Sequence, residues 1–445
     1  MMTYEEALHY LQDLTKFGIN PGLGRIQELL HRLGQPQQRK KPQFIHIGGT
    51  NGKGSTAVII AKVLEEAGYR VGLFTSPHLH CYTERTQING TAILKDQVAH
   101  LIGLLKGPIE SMVAEGYDHP TEFEVWTALS FLYFTREEVD IVVLEVGMGG
   151  AIDSTNVITP LLSVITNVTL DHMDYLGTTV EEIAQVKAGI IKEAVPVVTA
   201  SEDPLVLTVI QERAKAKSAP VVQVVRHGPK MATAQWVQWD GVRDQKKVMV
   251  EGRLQSYGPL KVPLQGHHQQ QNLATAIAAL EVAKEQGYEW TEKQLSRALE
   301  KTTWPGRQEK IGKILLDGAH NEGGASSLAR TLQEEYKGIK KILILALLAD
   351  KAREKIVALL APEVDEIIIT QVNHTRAGDW KSVEEVASPY GKPLQMIACI
   401  QDALQAGQQA VEKYEDKGMK AIVVVTGSLY MIAEARKELT NHKDL

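Results

Sequence analysis

The stretch HIGGTNGKGST, residues 46–56, combines the residue types that proteins use to hold a phosphate group. It contains four glycines, one lysine and three side-chain hydroxyls. Glycine lets a backbone approach a phosphate closely and point its N–H groups at it, and a helix that begins there adds the positive end of its dipole. An apolar run precedes the stretch and a helical pattern follows it. We therefore predict a phosphate-binding loop with Lys53 as its cation and Ser55 or Thr56 beside a magnesium ion.

The spacing departs from the common pattern G-x-x-x-x-G-K-[ST], which would place its first glycine at Ile47. Here the first glycine is Gly48, and an additional Gly54 separates Lys53 from the hydroxyl residues. The alternative interpretation is a glycine-rich turn with an incidental lysine. The strand and helix patterns on either side favour the phosphate loop.

Two further residues lie where α/β proteins place metal-binding side chains. Glu145 ends the apolar run IVVLE and is followed by glycines, and a buried glutamate is costly unless it is paired or binds a metal. Phosphate-binding loops use such a carboxylate, at the end of a neighbouring strand, to hold Mg²⁺. His172 follows a predicted strand at the face where α/β sheets bind ligands. The alternatives are a salt-bridged core glutamate and a structural loop histidine.

The elements that must position these residues are short apolar strands that alternate with helices. Their near-continuous apolar character indicates a parallel sheet buried on both faces, and the alternation is typical of an α/β domain. The predicted strands are Phe44–Ile47, Val71–Thr75, Ile141–Val146, Leu162–Ile165 and Val195–Thr199. The predicted helices are Ser55–Ala67, Glu122–Phe134 and Val180–Ile191.

The second half of the chain predicts a small β insert and then a second domain. The residue pattern changes between Val221 and Leu264, where WVQWDGVRDQKKVMVEGRL indicates short antiparallel strands. Pro305 and Gly306 then interrupt the pattern, so we divide the chain into a first domain at residues 1–300 and a second at residues 301–445. Further predicted strands follow at Ile311–Leu316, Lys341–Leu347, Glu366–Thr370 and Ile422–Val425. This series predicts a smaller Rossmann-like domain.

Composition and charge exclude several classes of protein. The chain has 445 residues, of which 44% are apolar and 23% are charged, with a formal net charge of -6 and a pI of about 6.2. These values are typical of a globular protein of two or three domains and lack the positive charge of a general nucleic-acid binder. Two cysteines exclude a disulfide framework, and neither a membrane span nor a signal peptide is indicated. We expect a cytoplasmic monomer with small-molecule partners, no nucleic acid and no membrane.

The loop GTNGKGS resembles the ATP-binding loop of the Mur ligase superfamily, and the motifs around it resemble its branch of folylpolyglutamate synthases and dihydrofolate synthases. These motifs follow the family's order over nearly the whole chain. A single motif would be weak evidence of membership, but this many motifs in the same order are strong evidence. They are LFTSPHL (73–79), ERTQING (84–90), TEFEVWTALSF (121–131), LEVGMGGAIDSTNVI (144–158), TNVTLDHMDYLG (166–177), IAQVKAGIIK (183–192), GHHQQQNLATAIAA (266–279), WPGRQE (304–309), DGAHNEGG (317–324) and VTGSLYMIAEAR (425–436).

The resemblance implies an ATP-dependent ligase with a three-layer fold. ATP would activate the carboxylate of a reduced folate or of dihydropteroate as an acyl phosphate. The α-amine of L-glutamate would then attack, and ADP and phosphate would be released. Such a reaction needs a phosphate cradle, bridging Mg²⁺ and an aligned carboxylate and amine.

The resemblance also implies roles for single residues. The implied ATP-binding residues are Thr50, Asn51, Gly52, Lys53, Gly54, Ser55, Asn272, Arg307 and Asp317. The implied Mg²⁺ ligands are Ser76, Glu145 and His172. The residues implied to line the dihydropteroate site are Thr121, Glu122, Phe123, Glu124, Ile152, Asp153 and Ser154, and the segment 19–26 resembles an early pterin-contacting segment. The implied catalytic residues are Lys53, Lys187 and His320.

Lys187 matches a lysine that the family converts to a carbamate, an anion that can face magnesium. Without the resemblance, the helical pattern around it would place Lys187 on an exposed helix surface. The side chains of the ATP set suit their roles, since the amide of Asn272 can both donate and accept, as a purine edge requires. The planar guanidinium of Arg307 matches a phosphate.

Several positions depart from the family's usual residues. Ala151 stands where the family commonly has arginine, and Val186 where it commonly has glutamate. Glu322 replaces a proline, and Ala352 replaces the second aspartate of a DKD segment. We expect ATP and metal binding to be retained and substrate preference to be altered, because the positive charge at Ala151 is missing.

Three other functions fit parts of the sequence. A cell-wall ligase would share the phosphate loop, Glu145 and the carbamate lysine, but normally carries an N-terminal domain that the about 40 residues before the loop are too few to form. A paralogue that binds nucleotide or folate with weak or no catalysis would explain Ala151 and Val186. A nucleic-acid motor is disfavoured by the acidic balance.

Overall fold

The computed structural model describes residues 2–226, 230–231, 234–241, 246–373 and 375–440, which form two compact units. The first unit comprises Met1–His78, Tyr82–Pro263 and Gln270–Thr302. The second unit comprises Leu79–Cys81, Leu264–Gln269 and Thr303–Leu445. Within the described residues, no helix is both long enough and apolar enough to cross a membrane.

The first unit is built on a large mixed sheet. Its strands are β1 Gln43–Gly48, β2 Val71–Phe74, β3 Thr86–Ile88, β4 Thr91–Ala92, β5 Ile141–Glu145, β6 Leu162–Ile165, β7 Val197–Thr199, β8 Val221–Val225, β9 Gln235–Gly241, β10 Lys247–Glu251 and β11 Ser256–Lys261. Among the described residues the spatial order is β11-β10-β9-β8-β7-β6-β1-β5-β2-β3-β4. The run from β9 to β2 is parallel, and the strands outside it pair antiparallel.

Helices cover both faces of this sheet. They are α1 Tyr4–Asp13, α2 Gly24–Arg32, α3 Lys53–Glu66, α4 Lys95–Ala114, α5 Glu122–Arg136, α6 Met173–Leu176, α7 Val180–Ala188, α8 Pro204–Ala216, α9 His268–Glu285 and α10 Glu292–Lys301. In β1, Ile45 and Ile47 pack in a core with α3, α9 and α10, whereas Phe44 packs on the other face with α1, α2, α4 and α5. Successive side chains of a strand point to opposite faces, so β1 contributes to both cores of a three-layer unit.

The five strands predicted for the first domain are all present, with ends within two residues of the prediction. The predicted helix Val180–Ile191 was too long, because α7 ends at Ala188. The next residue, Gly189, packs so closely on Ala151 that an added Cβ would collide with it. The apolar pattern continues past this glycine to Ile190 and Ile191, so it gave no sign of the end of the helix.

The predicted β insert is an extension of the main sheet. β8 pairs parallel with β7, whereas the antiparallel strands predicted within WVQWDGVRDQKKVMVEGRL are present as β9 and β10. β9 adds to β8 in parallel as well, and only β10 and β11 continue antiparallel. Residues 242–245 of the predicted insert lie outside the described residues.

The second unit holds a smaller sheet with helices on both faces. Its strands are β12 Glu309–Ile311, β13 Ile314–Asp317, β14 Lys340–Leu345, β15 Glu366–Ile369, β16 Leu394–Met396 and β17 Ala421–Thr426. Its helices are α11 Glu322–Glu334, α12 Arg353–Leu360, α13 Ser382–Ala387, α14 Ile400–Glu415 and α15 Leu429–Thr440. The order in the described residues is β12-β13-β17-β14-β15-β16, parallel except at β12. The predicted α/β fold with a smaller second sheet is confirmed.

One strand of this unit differs from the prediction. The predicted strand Ile311–Leu316 is two antiparallel strands, β12 and β13, joined by a tight turn. Gly312 lies in that turn with φ 59°, a conformation that favours glycine. The apolar pattern continues across the turn, so it gave no sign of the break.

Candidate active site

The phosphate loop joins β1 to α3 through Gly49–Gly52, as the sequence predicts. Gly49 has φ 131° and Gly52 has φ 84°, values that side-chain-bearing residues rarely adopt. A Cβ on Gly49 would collide with Thr166 Oγ1, and a Cβ on Gly52 would collide with Asn272 Oδ1. Both positions therefore require glycine, because of the positive φ angle and because no space is left for a Cβ atom.

Residues that follow β6 hold the loop in place. Thr50 N donates to Asn167 O (2.8 Å), and Asn51 N donates to Asn167 Oδ1 (2.9 Å). Thr166 Oγ1 donates to Asn51 O (2.7 Å). β6 is the parallel neighbour of β1, so its carboxyl end meets the loop. The sequence analysis assigned no role to Thr166 and Asn167. The signal that could have identified them is a pair of polar residues directly after a buried strand.

The first turn of α3 carries the remaining predicted loop residues. Lys53 is its first residue, followed by Gly54 and the buried Ser55. The hydroxyl of Thr56 is also buried and has no hydrogen-bond partner within the described residues. Both hydroxyls considered for a magnesium ion therefore lie at the positive end of this helix.

Lys53 and Lys187 meet at one backbone oxygen of the loop. Lys53 Nζ donates to Gly49 O (3.2 Å) and Thr50 O (3.0 Å), and Lys187 Nζ donates to Gly49 O (2.9 Å). Lys187 is only 3% exposed, so the expectation of an exposed lysine, drawn from the helical pattern without the resemblance, was wrong. Its place in the last turn of α7 brings it under the phosphate loop.

Burial changes the acidity of Lys187. Desolvation, and to a smaller extent the charge of Lys53, lower the pKa of its ammonium from 10.5 to about 7, although Asp171 and Asp153 act in the opposite direction. Much of the Lys187 population therefore carries a neutral amine at neutral pH. A neutral amine is the form that reacts as a nucleophile. The sequence gave no role to Asp171.

Glu145 and Ser76 lie together at the carboxyl ends of neighbouring strands. Glu145 is the buried last residue of β5, next to both β1 and β2, and its Oε2 accepts a hydrogen bond from Ser76 N (3.2 Å). Ser76 Oγ is buried without a hydrogen-bond partner within the described part of the chain. A partnerless hydroxyl beside a buried carboxylate fits Mg²⁺, which prefers oxygen ligands.

His172 precedes α6 in a left-handed conformation with φ 49°. Its backbone N donates to Asp171 Oδ1 (3.0 Å), and its ring Nε2 lies 4.0 Å from Asp171 Oδ2. Across the residues that the structure describes, no group of three or more His, Cys, Asp or Glu side chains is arranged to hold a metal ion. The predicted set of Ser76, Glu145 and His172 contains only two such side chains and stays a prediction.

Asn272 lies in α9 and is buried. Its amide is the group that a Cβ on Gly52 would strike, so it faces the phosphate loop. This position differs from the exposed helix surface that is the ordinary place for an asparagine. The predicted contact with a purine edge stays a prediction.

The predicted substrate residues of α5 form its N-terminal cap. Glu124 Oε2 accepts hydrogen bonds from Thr121 N (2.8 Å) and Thr121 Oγ1 (3.0 Å). The same oxygen forms a buried ion pair with Arg25 Nε (3.1 Å), which belongs to the predicted pterin-contacting segment 19–26. Glu124 Oε1 is buried without a hydrogen-bond partner in the described chain. The structure thus brings two separately predicted substrate segments together.

Glu122 and Phe123 reach other parts of the same region. Arg85 Nη1 donates to Glu122 Oε1 (2.8 Å), and burial raises the pKa of the Glu122 carboxyl while Arg85 lowers it. The Phe123 ring lies 6.0 Å from that of Phe74 and packs on Gly147, where a Cβ would come within 2.5 Å of it. Phe123 therefore needs glycine at position 147.

Asp153 is satisfied inside its own loop. Its Oδ2 accepts from Met148 N (2.8 Å), and its Oδ1 accepts from Thr155 N (3.0 Å) and Thr155 Oγ1 (2.5 Å). Burial raises the pKa of this carboxyl, and the hydrogen bonds lower it. Ser154 is buried and Ile152 is partly buried. The carboxylate of Asp153 orders the loop that carries all three predicted residues.

Ala151 and Val186, two of the departures from the family, are in contact through their backbones. Ala151 N donates to Val186 O (2.8 Å), and a Cβ on Gly150 would come within 2.8 Å of the same oxygen. The loop 147–157 thus packs on the carboxyl end of α7, one residue before Lys187. This contact explains the burial of that lysine.

In the second unit, Arg307, Asp317 and His320 lie near one another. Asp317 ends β13 and accepts from Ala319 N (2.7 Å), and His320 Nδ1 lies 2.8 Å from Gly318 O. Burial raises the pKa of Asp317, while Arg307 is the largest influence that lowers it. The structure therefore places the guanidinium of Arg307 within electrostatic reach of this carboxylate.

Comparisons with known proteins agree with this geometry. The Mur ligase middle domain matches residues 47–280, and the dihydrofolate synthetase C-terminal domain matches residues 300–437. The dihydrofolate synthase/folylpolyglutamate synthase of Bacillus subtilis is 36% identical over 98% of this chain and 99% of its own. The folylpolyglutamate synthase of Lacticaseibacillus casei is 34% identical over 99% of this chain and 100% of its own.

A solved structure shares the fold. The folylpolyglutamate synthase of Mycobacterium tuberculosis complexed with ADP has a TM-score of 0.89 and 29% identity, with 98% of this chain and 99% of that chain covered. The match of residues 300–437 to a dihydrofolate synthetase C-terminal domain disfavours a cell-wall ligase. Sequence identity of 36% over nearly the full length of the Bacillus subtilis enzyme, together with the common fold, shows that this chain belongs to the dihydrofolate synthase/folylpolyglutamate synthase family.

Proposed function

We propose that this chain is an ATP-dependent ligase that joins L-glutamate to reduced folates and to dihydropteroate. The substrate carboxylate attacks the γ-phosphorus of ATP and forms an acyl phosphate, with ADP leaving. The amine of glutamate then attacks the acyl carbon, loses a proton and expels phosphate. The observation that carries the proposal is the pair of lysines on the Gly49 carbonyl, one from the phosphate loop and one buried with a pKa of about 7.

The residues proposed to bind ATP are those around the loop and in the second unit. They are Thr50, Asn51, Gly52, Lys53, Gly54, Ser55, Asn272, Arg307 and Asp317. The start of α3, with Lys53 as its first residue, favours a bound polyphosphate. Residues 1–300 form the ATP-binding domain in this proposal, and residues 301–445 form the second domain, which contributes His320 as a proposed catalytic residue.

Ser76, Glu145 and His172 are the proposed Mg²⁺ ligands. The partnerless Ser76 hydroxyl beside the Glu145 carboxylate supports the first two, and the resemblance to the family supports His172. Bound Mg²⁺ supplies charge neutralisation for the transferred phosphoryl group. The carboxylate of Glu145 provides negative charge in a site that also contains Lys53 and Lys187.

Lys187 is proposed to carry a carbamate. Its neutral amine attacks the carbon of CO₂ and loses one proton, which leaves an anion in place of a cation. The lowered pKa supports this step because it makes the amine available at neutral pH. The anion would then lie beside the ammonium of Lys53, which removes the repulsion between the two lysines.

The folate or dihydropteroate is proposed to lie along the N-terminus of α5 and the loop 147–157. Thr121, Glu122, Phe123 and Glu124 form one side, and Ile152, Asp153 and Ser154 form the other. The close packing of Phe123 on Gly147 supports this arrangement because it brings the two segments together. A flat pterin suits an aromatic wall of this kind.

The test is ADP release with ATP, Mg²⁺ and L-glutamate, with dihydropteroate in one reaction and tetrahydrofolate in another. Release in both supports the full proposal. Release with tetrahydrofolate alone removes the dihydropteroate assignment. Silence in both, with ATP still bound, favours the catalytically weak paralogue that Ala151 and Val186 motivate. Sedimentation and cell fractionation test the further proposal of a cytoplasmic monomer.

A further inference from the structure

A buried chain of hydrogen bonds links the strand before the phosphate loop to the proposed substrate loop. His46 Nε2 lies 2.9 Å from Thr155 Oγ1, which in turn lies 2.5 Å from Asp153 Oδ1. His46 and Thr155 are both 0% exposed, and His46 stands on β1, two residues before Gly48. A polar chain this deep is costly unless each hydrogen bond is made, so its members are held in one arrangement.

The direction of donation follows from the chemistry of the three groups. A hydroxyl has one hydrogen to donate, and Asp153 Oδ1 already acts as an acceptor for Thr155 N. Thr155 Oγ1 therefore donates to Asp153 and accepts from His46 Nε2–H. His46 Nδ1 is then the unprotonated nitrogen, in agreement with its lack of a hydrogen-bond partner in the described chain.

The histidine acts as a donor without adding charge. Burial, and to a smaller extent the charge of Lys192, lower the pKa of His46 to about 3. The imidazole is thus neutral throughout the physiological range. A lysine or arginine at this position would place a cation next to Asp153 and compete with its other hydrogen bonds.

The far end of the chain organises the loop 147–157. Asp153 gathers Met148 N and Thr155 N around its carboxylate, as described above, and Asn156 Nδ2 donates to Ala151 O (3.3 Å). These bonds are local to the loop, and two further bonds tie the loop to the end of α7: Ala151 N donates to Val186 O (2.8 Å), and Asn156 Nδ2 donates to Gly189 O (3.3 Å). The bond from Thr155 to His46 is the one in this chain that ties the loop to a central strand of the sheet.

We propose that His46 is a positioning residue for the substrate loop. Through Thr155 it holds Asp153, and with it Ile152 and Ser154, at a fixed distance from the phosphate loop that β1 leads into. The inference rests on the proposed function, because its kinetic consequence is the alignment of the folate carboxylate with ATP. Such alignment is lost by shifts of about 1 Å.

The test compares Thr155→Val, which removes the hydroxyl at nearly constant volume, with Thr155→Ser, which keeps it. Thr155→Val is expected to raise KM for tetrahydrofolate about tenfold, as loss of one buried hydrogen bond allows, with less than about a twofold change in KM for ATP. Thr155→Ser is expected to stay within about twofold of wild type for both substrates.

The matched control is Thr86→Val. Thr86 is also fully buried, and its hydroxyl likewise accepts from a ring N–H, that of Trp126 (3.1 Å), and bonds a second oxygen, Ser130 Oγ (2.7 Å). It lies on β3 rather than in the loop. This variant is expected to lose stability without a selective rise in KM for tetrahydrofolate.

A second measurement follows the hydrogen bond itself. ¹⁵N NMR of the histidines, with His46→Gln to assign the signals, is expected to show His46 with Nε2 protonated and Nδ1 unprotonated from about pH 6 to 8. The Nε2–H signal should move in Thr155→Val. A folded Thr155→Val with unchanged KM for tetrahydrofolate, or one whose changes match those of Thr86→Val, overturns the inference. Wild type without turnover on either substrate contradicts the proposed function instead, so the two failures are distinct.

Discussion

Lys53 and Lys187 donate to the same carbonyl oxygen, that of Gly49, at 3.2 and 2.9 Å. Two ammonium groups so close together repel each other, and the buried one gives up its proton more readily. The phosphate loop therefore lies against a buried lysine of α7 whose charge can change.

Replacement of Lys187 by alanine is expected to lower turnover by at least about a hundredfold, because an anion that faces the metal site would be lost. A short carboxylate such as formate, added to the solution, is expected to restore part of the activity by occupying the space. The assay is ADP release with tetrahydrofolate and glutamate. Lys62→Ala is the control, since Lys62 pairs with Glu65 on the surface of α3. Full activity in Lys187→Ala without added carboxylate would sink the carbamate proposal.

The pKa of Lys187 also predicts how stability changes with pH. Its pKa is about 7 in the folded protein and 10.5 in an ordinary lysine. Between these values the unfolded chain binds more protons than the folded one, so the free energy of unfolding should rise with pH from about 7 to 10.5. Urea unfolding in CO₂-free buffer measures this slope. The slope should be smaller in Lys187→Met, and parallel pH curves for the two proteins would contradict the assigned pKa.

The sequence predicts the phosphate loop and the strands around it because their signals are local. An apolar run, a cluster of glycines and a helical pattern each depend on neighbouring residues. The burial of Lys187 is not local, since it arises where the loop 147–157 packs on the end of α7. The apolar pattern of one helix cannot show which loop will cover it.

The contacts that complete the site are also distant in sequence. Ser76 meets Glu145 because β2 and β5 are parallel neighbours, and His46 reaches Thr155 across 109 positions. Strand order decides both contacts, and the sequence alone does not fix that order. The parallel pairing of β8 with β9 was missed for the same reason. The family resemblance supplied residue roles that the local patterns did not.

Gly52→Ala is expected to weaken ATP binding strongly, because the new methyl group would strike the amide of Asn272. Strain from the positive φ of 84° would add to this clash. Gly68→Ala is a matched control, since Gly68 has φ 95° and open space around it. Calorimetry of ATP binding should therefore show a loss for Gly52→Ala and little change for Gly68→Ala. Equal loss in the two variants would indicate that strain alone is responsible.

Glu145→Gln is expected to raise the Mg²⁺ concentration needed for half-maximal turnover by about tenfold or more, because an amide is a weaker ligand for a hard cation. The variant keeps the size of the side chain, and its amide oxygen can still accept from Ser76 N. Titration of Mg²⁺ at saturating ATP measures the change. Glu137→Gln, at a surface pair with Arg70, is the control. An unchanged Mg²⁺ requirement in Glu145→Gln would remove this residue from the metal site.

Arg25→Met is expected to lower the free energy of unfolding by about 3 kcal/mol, because it leaves the carboxylate of Glu124 buried without its cation. The same change should raise KM for tetrahydrofolate, since Arg25 ties the segment 19–26 to the cap of α5. Arg25→Met combined with Glu124→Gln removes both charges. This double variant should recover much of the lost stability, but its KM for tetrahydrofolate should stay above the wild-type value. Urea unfolding and steady-state kinetics of the single and double variants separate the two effects. If the double variant recovers both stability and KM, the pair serves stability alone and the segment needs no such tie to bind its substrate.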